Sequence, residues 1–152
     1  MLPPRSAVKL LPLTGDVEFV VGEFNLNGIV RFEGKLLSIQ SNTGQLFRIN
    51  PRSGETDEVD VRGGSLLNGD GLERDGDLLY VVRNQNNRIA VVELDDDADD
   101  GRVVGTLRDK DLDVPATVAL LRHSLYAANA RFGVEITPET PYWVTRLDEF
   151  DD

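Results

Sequence analysis

The sequence has no cysteine, which excludes disulfide staples, thiolate zinc sites and cysteine nucleophiles while leaving the compartment open. It also has no long apolar run. Nothing approaches the roughly 18 residues needed to span a bilayer, and the opening "MLPPRSAVKLLPLTGD" lacks the apolar stretch and cleavage site of a signal peptide. As written, the chain reads as soluble and cytoplasmic, with no membrane partner. Basic residues are outnumbered, 16 against 27 acidic ones, for a net charge of −11. No window interleaves several basic residues with aromatics, so nucleic acid is excluded as a partner on the same grounds as an anionic membrane. Apolar residues at helical spacing are almost absent, which leaves little room for helices.

What is present instead is a succession of short β-rich runs: "VEFVVG" at 17–22, "GIVRF" at 28–32, "KLLSIQ" at 35–40, "QLFRI" at 45–49, "DLLYVV" at 77–82, "RIAVVEL" at 88–94, "RVVGTL" at 102–107, "TVALL" at 117–121, "SLYAA" at 124–128 and "YWVTRL" at 142–147. Gly, Asn, Asp and Pro clusters separate them. The chain is all-β, and at 152 residues it is the size of one domain. It also repeats. "NGIVRFEGKLLSIQSN" from Asn27 falls on "DGLERDGDLLYVVRN" from Asp70, with Gly28 on Gly71, 43 residues apart, and Leu36 on Leu78, 42 apart. A third copy places Leu79-Tyr80 on Leu125-Tyr126, 46 apart.

A period of 40 to 46 residues built only from strands is the signature of a β-propeller with one four-stranded blade per repeat. The units are 27–62, 68–108 and 115–147, with 13–22 as the outer strand of a preceding blade. Turns are expected at Glu33-Gly34 and Asp75-Gly76. About three blades make half of a six-bladed ring, and an open arc exposes two sheet edges. Either a second copy closes the ring as a homodimer, or the chain is part of a longer protein. A sandwich or barrel would use the same strands without predicting the register.

In the repeat frame Asn27 and Asp70 are equivalent, each one residue before the glycine that opens an innermost strand. Innermost strands surround the channel, so these side chains ring one of its mouths. An amide oxygen and a carboxylate there are hard ligands suited to Ca²⁺, Mg²⁺ or Mn²⁺. Arg83, Asn84, Asn129 and Arg131, at the ends of second strands, are candidates for binding a ligand's hydroxyls or carboxylate, with inter-blade hydrogen bonding as the alternative. The run "DDDADDG" at 95–101 does not fit a calcium loop, because Asp100 stands where the required glycine belongs and Thr106 where the closing Glu belongs. It is expected as a solvated hairpin loop, and "LDEFDD" as a solvated tail. His123 beside Ser124 suggests a nucleophile pair, but the repeat places it in a turn away from the channel. Tyr142 and Trp143 are expected to pack between sheets.

"NLNGIV" and "LNGDGLERDGDLLYVV", one blade apart, together with "SNTGQLFRINPRSGETDEVDV" and "VPATVALLRHSLYAANARFG", resemble the C-terminal half of the six-bladed propellers of the gluconolactonase, regucalcin and senescence-marker-protein superfamily, over roughly residues 13–147. The resemblance implies a divalent metal (Ca, Mg, Mn or Zn) in the channel, held in part by Asn27 and Asp70. It implies hydrolysis of a small sugar lactone or similar ester, with Asp70 as catalytic proton acceptor. The family's first-blade Glu and second Asn have no counterpart here, and Glu18 and Glu23 do not take their place. Two copies in a ring would bring two Asn27 and two Asp70 to one channel. The alternatives are a non-catalytic propeller module binding a small molecule or protein, and an inactive truncated fragment.

Overall fold

The computed structural model describes residues 9–150, and it is an all-β partial propeller. Strand β1 (Thr14–Gly15) is followed by β2 (Leu26–Phe32), β3 (Lys35–Gln40), β4 (Leu46–Ile49) and β5 (Glu55–Arg62), which pair antiparallel in chain order as the first blade. The second blade repeats the meander with β6 (Gly69–Asp75), β7 (Leu78–Arg83), β8 (Arg88–Leu94) and β9 (Asp100–Leu107). The third has three strands, β10 (Pro115–Leu121), β11 (Ser124–Asn129) and β12 (Val144–Asp148). The outer strands β5 and β9 touch in a short parallel register, Asp60 opposite Asp100 and Arg62 opposite Arg102.

The strands follow from the β-branched and aliphatic residues in the runs, and the hairpins from residues that tolerate positive φ. Glu33 and Gly34 both have it, at 41° and 82°, as a two-residue turn that matches the sheet twist demands. In the second blade Asp75 pairs with Leu78, so the two turn residues are Gly76 and Asp77. Two apolar layers glue the blades. Phe32, Leu37, Ile39, Leu46, Leu72, Leu79, Val81 and Val92 fill the first. Tyr80, Val82, Ile89, Val91, Val118, Leu125 and Leu147 fill the second. β7 and β8 therefore give alternate side chains to the two layers, and for that reason they read as continuous apolar runs.

The innermost strands approach so closely that only glycine fits between them. A Cβ on Gly28 would stand 2.1 Å from the Asp70 carbonyl oxygen, and one on Gly71 2.6 Å from Thr117 Cα. Neither residue has a positive φ. The glycines are there for the spacing between blades, and the equivalent residue of the third unit, exposed Thr117, carries a full side chain.

Three expectations are corrected. Residues 17–22 form no strand; the parallel pairing with β5 falls earlier, at Thr14 and Gly15. Among the described residues no neighbouring strand pairs with the run, Phe19 and Val21 are exposed, and its backbone is organised by the Asn25 side chain, which bonds Val20 and Glu23, while Gln40 Nε2 donates to the Glu18 carbonyl. The end of the chain is not a solvated tail throughout: the Phe150 ring lies over Gly105 of β9, where a Cβ would be 2.3 Å from it. Trp143 and Tyr142 are not between sheets. Trp143 donates its indole N–H to the Asp111 carbonyl at 2.8 Å beneath the Arg131 guanidinium, and Tyr142 is exposed.

Candidate functional site

Each innermost strand begins with one residue too many for its partner. Leu26 and Ile29 oppose Gln40 and Ser38, Gly69 and Leu72 oppose Arg83 and Val81, and Pro115 and Thr117 oppose Asn129 and Ala128. The extra residue is a β-bulge in the same place three times, and bulges re-aim side chains at the rims of sheets. Asn27 and Asp70 stand in the first two, Ala116 in the third. Asp70 is thus no turn residue: its two glycines serve the bulge and the close approach of the next blade.

The bulges open into a cleft of about 590 Å³ lined by Glu23, Phe24, Asn27, Ser41, Asn42, Asn68, Asp70, Asn84, Gln85, Phe132 and Gly133. It takes groups from all three blades and the entry loop. Asp70 is 9% exposed, the only carboxylate among the buried residues described. Burial raises its pKa from the ordinary carboxylate value, while a 2.9 Å hydrogen bond from Asn84 Nδ2 to its Oδ2 opposes that. Asn27 Nδ2 donates to Ser41 Oγ at 3.2 Å, and that hydroxyl donates to the Gly69 carbonyl at 2.5 Å, tying the two bulges together. Asn68, in the left-handed region at φ 63°, donates from its amide to Asn86 Oδ1. Asn42 Oδ1 is enclosed without a hydrogen-bond partner.

Of the residues singled out from the sequence, Asn27, Asp70 and Asn84 come together here. The other three are committed elsewhere. Arg83 Nε donates to the Leu67 carbonyl at 3.0 Å, and its pKa is lowered by burial and then by Arg88. Asn129 Nδ2 bonds Thr145 Oγ1 at 2.8 Å, and its Oδ1 accepts from Asp113 N. Arg131 pairs with Asp113 at 2.7 Å and bonds the Pro141 carbonyl. These two fasten the loop before β10 to the third blade. His123 sits in the β10–β11 turn against Glu149, with an exposed ring. The acidic loop is more than solvated: Asp97 and Asp99 engage Arg48 of β4, and Asp95 Oδ1 caps Asp99 and Asp100 backbone N–H groups, so it straps the first two blades together.

The sequence reading passed over Phe24, Ser41, Asn42, Asn68, Gln85 and Phe132, and discounted Glu23. Asn42 had a signal, since the 42-residue register that joins Leu36 to Leu78 also joins Asn42 to Asn84. The two phenylalanines had none, because they come from irregular segments that tertiary structure folds over the mouth.

As a metal centre the residues that could serve carry hard oxygens of the right kind for Ca²⁺, Mg²⁺ or Mn²⁺: the Asp70 carboxylate and the Asn27 side-chain amide. They supply one negative charge, and among the described residues no three His, Cys, Asp or Glu side chains converge to hold an ion.

No protein-family model matches this sequence, and no curated protein matches it. Among solved structures it is similar to the glutaminyl cyclase of Myxococcus xanthus, with a TM-score of 0.50 and 17% identity, covering 67% of this chain and 49% of that one. The chain spans about half the length of that protein. At this identity the likeness concerns the fold alone.

Proposed function

We propose that this chain acts through the cleft at the mouth of its arc, where it holds a small polar ligand against the Asp70 carboxylate. The observation that carries the reading is Asp70 itself: a nearly buried acid placed by a repeated bulge, fixed on one oxygen by Asn84 and open on the other. A buried charge held at a cost in solvation is more readily explained by function than by packing. The test is thermal melting of the chain and of Asp70→Ala with Ca²⁺, Mn²⁺, Zn²⁺, a sugar lactone and small amines. A ligand of the native state at a hundredfold excess over Kd adds about 2.7 kcal/mol, or roughly 5–11 °C for a chain of this size. No Asp70-dependent shift with any of them at millimolar concentration refutes the reading.

A second reading, metal-dependent hydrolysis of a small lactone, is favoured by the resemblance to the gluconolactonase superfamily and by the equivalent placement of Asn27 and Asp70 in successive bulges. Asn27 and Asp70 would hold the divalent ion, which supplies Lewis acidity for the ester carbonyl. Asn84 orients the Asp70 carboxylate, and burial raises its pKa, which makes it a stronger proton acceptor. Phe24 and Phe132 flank the mouth with apolar surface. Lactone hydrolysis that requires both the ion and Asp70 would support this reading, and a lactone bound but not turned over would remove it. Ring closure by a second copy would double the donor set. If that copy stacks as the blades of this chain stack, Thr117 meets its inner strand where glycine serves elsewhere, so closure requires a wider gap there. A monomeric mass by light scattering at micromolar concentration excludes closure.

A further inference from the structure

Resting on the reading of the cleft as a ligand site, we propose that its ligand is an organic ammonium ion: a cationic head with N–H donors on an apolar body. The polarity of the lining points this way. Four of its side-chain donor groups are engaged within the protein, for Asn84 Nδ2 bonds Asp70, Asn27 Nδ2 bonds Ser41, Asn68 Nδ2 bonds Asn86 and Ser41 Oγ bonds the Gly69 carbonyl, and the amides of Asn42 and Gln85 complete the polar lining. Asp70 brings to this lining a carboxylate with one oxygen bonded, by Asn84, and Asn42 adds an amide oxygen with no donor of its own. A carboxylate in such a lining repels anions and pairs best with a charged N–H donor. Glu23 adds a second negative charge at the edge, no Lys or Arg lines the cleft to neutralise either, and the net charge of −11 draws cations to the mouth.

The rim selects an organic cation over a bare metal ion. Phe24 and Phe132 flank the cleft from the entry loop and the third blade and are 82% and 57% exposed. Exposed aromatics beside a carboxylate suit a ligand with an apolar body, and their faces attract ammonium groups. A space of about 590 Å³ is far larger than an ion requires and is the size of an ordinary small-molecule site.

The experiment is calorimetric titration of the full chain with benzylammonium chloride and with benzyl alcohol, its neutral isostere, repeated on Asp70→Asn and Phe132→Ala. Calcium chloride and glucono-lactone serve as parallel arms. Asp70→Asn keeps an acceptor for Asn84 and so preserves the fold, which a melting curve confirms. Benzylammonium is expected to bind at least about tenfold tighter than benzyl alcohol, with the preference lost in Asp70→Asn and both probes weakened severalfold in Phe132→Ala. Equal affinity for the two probes, or a preference that survives in Asp70→Asn, overturns the proposal. Binding of calcium or lactone without benzylammonium overturns it while leaving the cleft as a ligand site, and binding of none of the four overturns both readings.

Discussion

Replacing Gly28 by alanine tests the packing of the innermost strands and the position of Asp70 together. The added methyl would begin 2.1 Å from the Asp70 carbonyl oxygen and 2.8 Å from Leu72 N, against an ordinary separation of about 3.5 Å. Both are backbone atoms of a paired strand, so no rotamer change relieves the overlap. β2 and β6 must part by about 1 Å, and the layer of Phe32, Leu37, Leu72 and Leu79 behind them loosens with that movement. Overpacking by a single methyl group costs about 1–3 kcal/mol, and a backbone obstacle places this case near 3. For a domain of this length the melting temperature falls by roughly 2–4 °C per kcal/mol, or roughly 6–12 °C in all. Because the displaced residue is Asp70, any ligand-induced rise in melting temperature should shrink as well. Calorimetry of the variant beside Thr117→Gly, an exposed position of β10 that meets β6 on one side and no further inner strand among the described residues on the other, provides the assay and its control. A Gly28→Ala protein melting within about 1 °C of the parent would refute the close approach and, with it, the account of why glycine recurs there.

The same reasoning makes Gly71→Ala destabilising, since its methyl would reach Thr117 Cα at 2.6 Å and the Ala116 carbonyl at 2.7 Å; urea denaturation should give a lower midpoint with an unchanged slope. Leu125→Ala empties a fully buried position between the second and third blades and should cost about 2–5 kcal/mol by the same measurement. Asp70→Asn should raise stability near pH 7, because burial raises the carboxyl's pKa in the folded chain. A group raised in this way favours folding below its unfolded pKa and loses that contribution as pH rises through the folded value. The gain in Asp70→Asn should therefore fade at about pH 4, and a gain that is constant with pH would show that charge is not its cause. Arg48→Ala cuts the link from β4 to Asp57, Asp97 and Asp99 and should lower stability by about 1 kcal/mol, less in high salt.

Strand content was legible because β-branched runs bounded by Gly, Asn and Asp have few other solutions. The blade count was legible because similar side chains recur at a fixed period. The run at 17–22 misled for a physical reason: β propensity makes a strand only where an edge is offered, and none is offered there. Arg131 and Asn129 were open between two readings for a different reason. Polar groups at strand ends serve ligands or loops equally well by composition, and only their partners, Asp113, Thr145 and the Pro141 carbonyl, decide between the two.

What the sequence determined by itself is periodic: an all-β chain, three repeated units, and the equivalence of Asn27 with Asp70. Periodicity is local chemistry repeated, so it survives in one dimension. Tertiary structure alone decided what that equivalence is for. The bulge that turns Asp70 toward the cleft arises from mismatched strand lengths, its raised pKa from burial, and the phenylalanines over it from loops far apart in the chain. None of these is a property of "LNGDGL" until β2 and β10 close on either side of it.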